Sequence, residues 1–430
     1  MKITHIHIER FRGFQNEDFE VGSLLTAIAG QNGTQKSTLL GIITQTFTLK
    51  TEDSMRVEKP LCGGSYISAF KDKFRLSPTF DKPKGHEWTI SFDAGMDDFT
   101  VESIKRTGDP NVRFWKKGAR QEGDGCISFP TIFLSLKRLV PVAEEAKIIT
   151  DDTLLTQEEL NEFKQLHNKI LIAQTPISSA TTITSKNKQS IGVSTELYDW
   201  NQNSMGQDNL GKIILALFSF KRLHDKYPRQ YKGGILAIDE MDATMYPASQ
   251  VELLKVLRKY ASKLNLQILF TTHSMSLLKA MDDLVQEVTK KEETANQAKI
   301  LYLKKVDDKI AIKQGVNFKG IQLDLNVVAE GNNRKKNRIT AYTEDKENIL
   351  FVKAILKSKA FVLDFVDVTL PCSTLMELVT KRVPAFIYPY SIVILDGDVR
   401  MNKNDLRKIN NADNILILPG NKSPERLLAS

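Results

Sequence analysis

Nowhere in these 430 residues is there a run of about 18 to 20 consecutive apolar side chains, the length a membrane-spanning helix needs, so no membrane segment is expected. The opening stretch, MKITHIHIERFRGF, carries too many charges for a signal peptide, which makes the cytoplasm the expected location. Cysteine is nearly absent. Cys62, Cys126 and Cys372 are odd in number and far apart, a pattern that excludes both a disulfide framework and a zinc site and leaves them as small buried hydrophobes. Histidine is scarce too: His5 and His7 alternate on one face of a strand and read as surface residues rather than ligands. What is present is an ordinary aqueous composition, 41% hydrophobic and 26% charged, on a chain long enough for two domains. The net charge of +8 permits a nucleic-acid surface and equally permits a solvated face.

The most informative stretch is GQNGTQKST, residues 30 to 38. Gly30, four residues, then Gln35, Lys36 and Ser37 fit G-x-x-x-x-G-K-[ST], with Gln35 where the second Gly belongs. The apolar run Leu24 to Ala29 predicts a buried strand before the loop, and Thr38 to Phe47 a helix after it. Backbone N–H groups of Gln31, Asn32, Gly33, Thr34, Gln35 and Thr38, together with the helix N-terminus, would cradle a triphosphate; Lys36 would reach its β- and γ-phosphates and Ser37 would hold Mg²⁺. ATP with Mg²⁺ is the expected cofactor. Gln35 brings a Cβ where the backbone should approach phosphate, so its side chain either points away or contacts the γ-phosphate, and slow hydrolysis is expected.

Three further pieces extend this site. GILAIDE ends a buried strand, Gly234 to Ile238, in two acids: Asp239 as an Mg²⁺ ligand and Glu240 as the group that polarises the attacking water. The next strand, Gln267 to Thr271, leads to His273, a sensor for the γ-phosphate. Between the phosphate loop and GILAIDE, NSMGQDNLG precedes the apolar helical run Ile213 to Phe220, and Ser204, Gly206 and Gln207 would present N–H groups to a phosphate, with Met205 in place of a Gly.

FRGF (residues 11 to 14), GQNGTQKST, SLKRLVP (135 to 141), SMGQ, IDEMDATMYP and TTHS, in this order, resemble the small SMC-like ATPases of ABC type. Within that group the chain looks closest to the overcoming-lysogenization-defect (OLD) nucleases and to PtuA, the ATPase family of the Septu antiphage systems, which also accompanies some retrons. The resemblance implies an ABC-type head of mixed sheet, helices and an antiparallel β lobe over residues 1–325, and a homodimer or higher homo-oligomer in which one subunit's signature completes another's nucleotide site. It implies Arg12 as a phosphate or adenine contact, a small HNH nuclease (PtuB-like) as partner and, in retron loci, a reverse transcriptase with its RNA–DNA hybrid. SMC and repair relatives insert a long coiled coil before the signature. Here the insertion, about residues 150–198, offers one helix, with Thr156 and Glu159 as a capping box and Leu160, Phe163, Leu166 and Ile170 as an apolar stripe. No heptad array follows, which excludes a tethering arm. Thr175 to Thr195, rich in Ser and Thr, reads as a mobile loop, and residues 87 to 117 as hairpin strands with GDPN at a turn.

Beyond the charged stretch Glu287 to Lys313 and the basic run Arg334, Lys335, Lys336 and Arg338, the pattern restarts as an α/β domain over residues 338–430. Strands are expected at Ile339 to Thr343, Phe361 to Leu370, Ile392 to Leu395 and Ile415 to Leu418, with helices over Lys346 to Lys357 and Leu375 to Thr380. TEDKEN and ILDGDV resemble the two acidic motifs of the Toprim fold, which makes Glu344, Asp396 and Asp398 candidate metal ligands for phosphodiester cleavage, supplemented by Glu347 and Glu425. Three readings stay open: an ATP-gated regulator of a partner nuclease, a nuclease acting on DNA or RNA through its own Toprim acids, and a repair clamp or transporter ATPase.

Overall fold

The computed structural model describes residues 1–67, 73–93, 95–105, 112–119, 124–139, 149–151, 154–173, 175–184, 189–330, 339–387, 391–409, 412–423 and 426. The basic run at 334–338, Glu425, the GDPN turn at 108–111 and the end of SLKRLVP at 140–141 lie outside the described residues. The chain divides into two compact units, Met1–Gln322 and Leu323–Ser430.

In chain order the first unit contains β1 (Ile3–Phe11), β2 (Phe14–Glu20), β3 (Leu25–Gly30), α1 (Lys36–Thr44), β4 (Phe47–Thr48), β5 (Glu87–Phe92), β6 (Phe99–Lys105), β7 (Val112–Lys116), β8 (Ile127–Ser128) and β9 (Thr131–Leu134). It continues with β10 (Ile149–Asp151), α2 (Gln157–Leu171), β11 (Ser179–Thr184), β12 (Gln189–Ser194), α3 (Met205–Lys226), β13 (Gly234–Ile238), α4 (Pro247–Lys263), β14 (Leu266–Thr272), α5 (Met275–Val288), β15 (Ala298–Val306), β16 (Lys309–Gln314) and α6 (Phe318–Glu330), the last running across the division.

The central sheet has the order β16-β15-β3-β14-β13-β9, parallel except for β16. Its strands β3, β13 and β14 are buried along their whole length, as parallel strands covered on both faces must be, which is why they read as unbroken apolar runs. A second, antiparallel sheet, β2-β1-β5-β6-β7, alternates instead. Trp88, Ile90 and Phe92 of β5 point inward, and Trp88 meets Phe11 and Phe114 with ring centroids 5.7 and 5.3 Å away. Ile28, Leu39, Ile42 and Phe47 belong to the same buried cluster, so this lobe and the helix after the loop share one core.

Several expectations change. The helix expected to reach Phe47 ends at Thr44, and Phe47–Thr48 pairs with Ile127–Ser128 because the Phe47 ring is held between Phe92 and Phe129. Within the stretch expected to be a mobile loop, Ser179–Thr184 and Gln189–Ser194 form the antiparallel pair β11–β12, whose β-branched Ile183, Ile191 and Val193 are buried, while 185–188 lie outside the described residues. The Thr156–Glu159 capping box of α2 is present, but the buried positions are Glu159, Phe163, His167 and Ile170, with Leu160 and Leu166 only half buried. Arg222 turns the helix this way by binding the Glu159 carboxylate at 2.8 and 2.6 Å. The charged stretch 287–313 supplies β15 and β16, which bury Leu301, Leu303 and Ile310 while their lysines point outward. Of the three cysteines only Cys62 is buried; Cys126 and Cys372 are half buried, and none is in a disulfide.

The second unit contains β17 (Ile339–Thr343), α7 (Lys346–Leu356), β18 (Leu363–Phe365), α8 (Cys372–Thr380), β19 (Ser391–Leu395), α9 (Lys403–Ile409) and β20 (Ile415–Ile417). Its sheet, β18-β17-β19-β20, is parallel throughout. The strand expected over Phe361 to Leu370 shrinks to three residues, because a 3-10 turn takes Lys357–Val362. Among the described residues no helix is long and apolar enough to cross a membrane.

Candidate functional site

β3 ends at Gly30, where φ is 151° and a Cβ would lie 2.4 Å from the Leu303 carbonyl oxygen, so only glycine fits. The loop that follows is pinned from inside. Thr34 Oγ1 donates to the Gln31 carbonyl at 2.8 Å, and the buried Lys36 Nζ donates to the carbonyls of Gly30 and Gln31 at 3.0 and 2.9 Å. Asn32, Gly33 and Ser37 are exposed. Burial pushes the Lys36 ammonium down to about 8 against the pull of Glu240, Asp239 and Asp242. Gln35 caps α1 in the left-handed region, φ 62° and ψ 32°, which gives a second reason for a glycine in the general motif: the backbone itself turns left here. Its side chain points away from the loop's interior, against Gly13 of the β1–β2 turn.

Strands β13 and β14 bring the other pieces to the same edge of the sheet. Asp239 Oδ1 accepts hydrogen bonds from Ser37 Oγ and Thr271 Oγ1, both at 2.8 Å, while the Glu240 amide donates to Thr271 Oγ1 at 2.6 Å. One hydroxyl on β14 thus fixes both acids at the end of β13. Glu240 sits at φ 49°, and its carbonyl accepts from Arg138 Nη2 at 2.7 Å. Arg138 is buried, donates through Nε to Asn209 Oδ1 at 2.7 Å and through Nη1 to the Leu134 and Ser135 carbonyls, and burial pushes it down to about 10 despite nearby Asp239, Glu240 and Asp242. Asn209 Nδ2 in turn donates to the Ala243 carbonyl at 3.0 Å. Arg138, Asn209 and Thr271 received no role from the sequence; Arg138 belongs to SLKRLVP, but nothing in its spacing says that it reaches a carbonyl 102 residues on. His273 follows β14 on an exposed turn, with its imidazole pushed below the ordinary value by partial burial and then by the Lys36 charge.

Arg12 is engaged within the chain: its Nε and Nη2 each donate to Asp81 at 3.0 Å, Nη2 also reaches the Arg75 carbonyl, and Nη1 contacts Thr38 Oγ1 at 3.4 Å. Although burial opposes ionisation of Asp81, bonds from Arg12, the Ser77 amide and His86 hold it down to about 2. The guanidinium therefore ties the β1–β2 turn to α1.

Ser204 caps α3: its Oγ accepts from the Gln207 amide at 3.3 Å, and Gln207 Oε1 accepts from the Ser204 amide at 2.8 Å, a complete capping box. A Cβ on Gly206 would lie 2.5 Å from the Thr244 carbonyl oxygen, while Met205 is exposed. Gln207 Nε2 donates to Tyr198 Oη at 2.7 Å. A hollow of about 330 Å³ beside this cap is lined by Leu171, Tyr198, Ser204, Gln207, Thr244 and Tyr246.

In the second unit Glu344 follows β17 and Asp396 follows β19, so adjacent parallel strands deliver them to one edge. Glu344 Oε1 accepts from the Asp396 amide at 3.0 Å, and among the described residues no group of three or more His, Cys, Asp or Glu side chains is placed to hold a metal ion. Burial, followed by the charges of Asp396, Asp398 and Asp345, outweighs that amide bond and raises the Glu344 carboxyl above its ordinary value. Glu347 lies in the first turn of α7, capped by Asp345.

Residues 135–278 match the family described as AAA ATPase domain. No curated protein matches the chain. Among solved structures it is similar to the SMC head domain from Thermotoga maritima, with 14% identity and a TM-score of 0.41 over 74% of this chain and 100% of that one. An SmcHead bound to the C-winged helix domain of ScpA gives 14% and 0.42 over 75% and 100%. An Smc head domain with an extended coiled coil, bound to the C-terminal domain of ScpA derived from Pyrococcus furiosus, gives 13% and 0.41 over 76% and 99%.

Proposed function

We propose, from the AAA-type ATPase domain matched over residues 135–278, that this chain binds ATP with Mg²⁺, hydrolyses it slowly, and uses its nucleotide state to regulate a partner nuclease in bacterial antiphage defence. The observation that carries the ATPase part is the 2.8 Å bond between Ser37 Oγ and Asp239 Oδ1. It joins the phosphate loop to the strand-end acid through two hard oxygen donors of the kind Mg²⁺ prefers. Ser37 and Asp239 would hold the ion, which neutralises phosphate charge when bound. Lys36 binds the β- and γ-phosphates, Glu240 takes the proton of the attacking water, and His273 contacts the terminal phosphate. The left-handed Gln35 supports slow turnover, since it fixes the loop with a side chain where the general motif has none.

The defence role, the homodimer, the HNH nuclease partner, the reverse transcriptase with its RNA–DNA hybrid and the cytoplasmic location rest on the order of the six motifs. Titration calorimetry with ATP and Mg²⁺ tests the core. Wild type binds, Lys36→Ala does not, and Glu240→Gln binds without turnover. An absence of ATP affinity in the wild type overturns the reading, and rapid multiple-turnover hydrolysis overturns its slow-engine part.

A second reading, a metal-dependent nuclease within this chain, is favoured by the meeting of Glu344 with the Asp396 amide at the end of neighbouring parallel strands. Plasmid cleavage in Mg²⁺ or Mn²⁺ that Asp396→Ala abolishes would support it. No cleavage without a partner supports the regulator.

A further inference from the structure

The phosphate loop departs from its general motif at one residue, and that residue is uncomfortable twice over. Gln35 holds a left-handed backbone, φ 62°, that a side chain disfavours. Its carboxamide oxygen is buried with no hydrogen-bond partner, a loss comparable to an unmade hydrogen bond. The carboxamide is pressed into a closed space: a Cβ on Gly13 would lie 2.9 Å from Gln35 Nε2 and 2.7 Å from Ile310 Cγ1. Gly13 is itself bound to the edge strand of the central sheet, its carbonyl accepting from the Ile310 amide at 2.8 Å. Its neighbour Arg12 reaches back to α1 at Thr38. One side chain of the loop is therefore wedged where the β1–β2 turn, β16 and α1 meet.

Resting on the ATPase reading above, we propose that Gln35 senses the terminal phosphate: with a triphosphate in the loop its carboxamide turns from Gly13 to donate Nε2–H to the γ-phosphate, releasing the β1–β2 turn from the loop. The anionic oxygen gives the amide a charge-assisted bond, stronger than anything it has against Gly13. A diphosphate offers no oxygen at the γ position, so the wedge stays in place. Nucleotide state is thereby carried to the antiparallel lobe through Gly13 and the Gly13–Ile310 bond, by movement of a single side chain and its immediate support. A glycine in this position would bind nucleotide without transmitting which one.

Hydrogen exchange of the full chain at the Ile310 amide, read with saturating ADP·Mg²⁺ and with a non-hydrolysable ATP analogue and Mg²⁺, tests this. The expected result is several-fold faster exchange with the analogue than with ADP in the wild type, and equal exchange in Gln35→Gly brought to saturation with each nucleotide as calorimetry reads it. Gln35→Glu, which places an anion against the γ-phosphate, is expected to weaken the analogue about tenfold relative to ADP, whereas a merely structural wedge would weaken both alike. Equal exchange in a wild type that binds both nucleotides overturns the sensor and leaves the ATPase standing. A wild type that binds neither overturns both.

Discussion

At the scale of the residue, the site is a set of charged groups held out of water, and Lys36 shows the consequence. Its ammonium titrates near 8 in the folded chain and near 10.5 when unfolded. Between those values the unfolded state binds more protons, so this group makes stability rise with pH through that window, and the burial of its charge costs about 3 kcal/mol at neutral pH. Lys36→Met is therefore expected to raise the melting temperature by a few degrees while abolishing ATP binding, as scanning fluorimetry and calorimetry would read; a lower melting temperature would mean that the bonds to Gly30 and Gln31 outweigh desolvation. Because phosphate needs the ammonium form, ATP affinity is expected to fall as pH rises through about 8, and flat affinity up to pH 10 would exclude Lys36 as the charge that matters. The spacing from Gly30 to Ser37 was enough to find these residues, since phosphate binding dictates it. The partners of Arg12 were not legible, because Asp81 lies 69 residues away and only the fold brings it near.

Elements were legible where the signal is local and obscure where it is tertiary. The capping box of α2 needs only Thr156 and Glu159 at their spacing, whereas the β11–β12 pair depends on Ile183, Ile191 and Val193 finding cover, which Ser/Thr-rich composition conceals. Similarly, the buried face of α2 is set by Arg222 on α3, so no periodicity within α2 could have placed Glu159 and His167 inward. Burial, slightly offset by Asn168, pushes the His167 imidazole down to about 4 from an ordinary 6.5. Above 6.5 the folded and unfolded chains are both neutral at this position. As pH falls from 6.5 toward 4 the unfolded chain takes up the extra proton, and about 3 kcal/mol of stability is lost across that window. His167→Phe should flatten the acid limb of a urea-denaturation series between pH 6.5 and 4; an unchanged limb would remove His167 as its cause. Arg138 ties the Leu134–Ser135 turn, α3 and the Glu240 turn together, and Arg138→Met leaves Asn209 and the Glu240 carbonyl without that donor. A loss of about 3 kcal/mol in urea is expected, with ATP hydrolysis falling further than stability alone explains.

On the scale of the whole molecule, the loop with the strand-end acid and the α3 cap are each held by their own local bonds, with Arg138 and Asn209 linking α3 to the Glu240 turn. Ser37, Asp239 and Thr271 are interlocked by direct bonds and Lys36 is bonded to its own loop at Gly30 and Gln31, whereas Ser204 and Gln207 bond each other and Gln207 bonds Tyr198. In the homodimer proposed above, each copy contributes its α3 cap to the other's loop, and symmetry then sets the arithmetic. Lys36→Ala spoils the loop of its own chain and Ser204→Arg spoils the cap offered to a neighbour, so homodimers of either variant contain no intact site. Random mixing at equal amounts makes half of the dimers mixed, each with one doubly damaged and one intact site, and about a quarter of the wild-type sites should return. ATP hydrolysis by the mixture, compared with each variant alone and followed on dilution, checks this: recovery that disappears as dimers dissociate supports the shared site, and a mixture no more active than its components places the whole site within one chain.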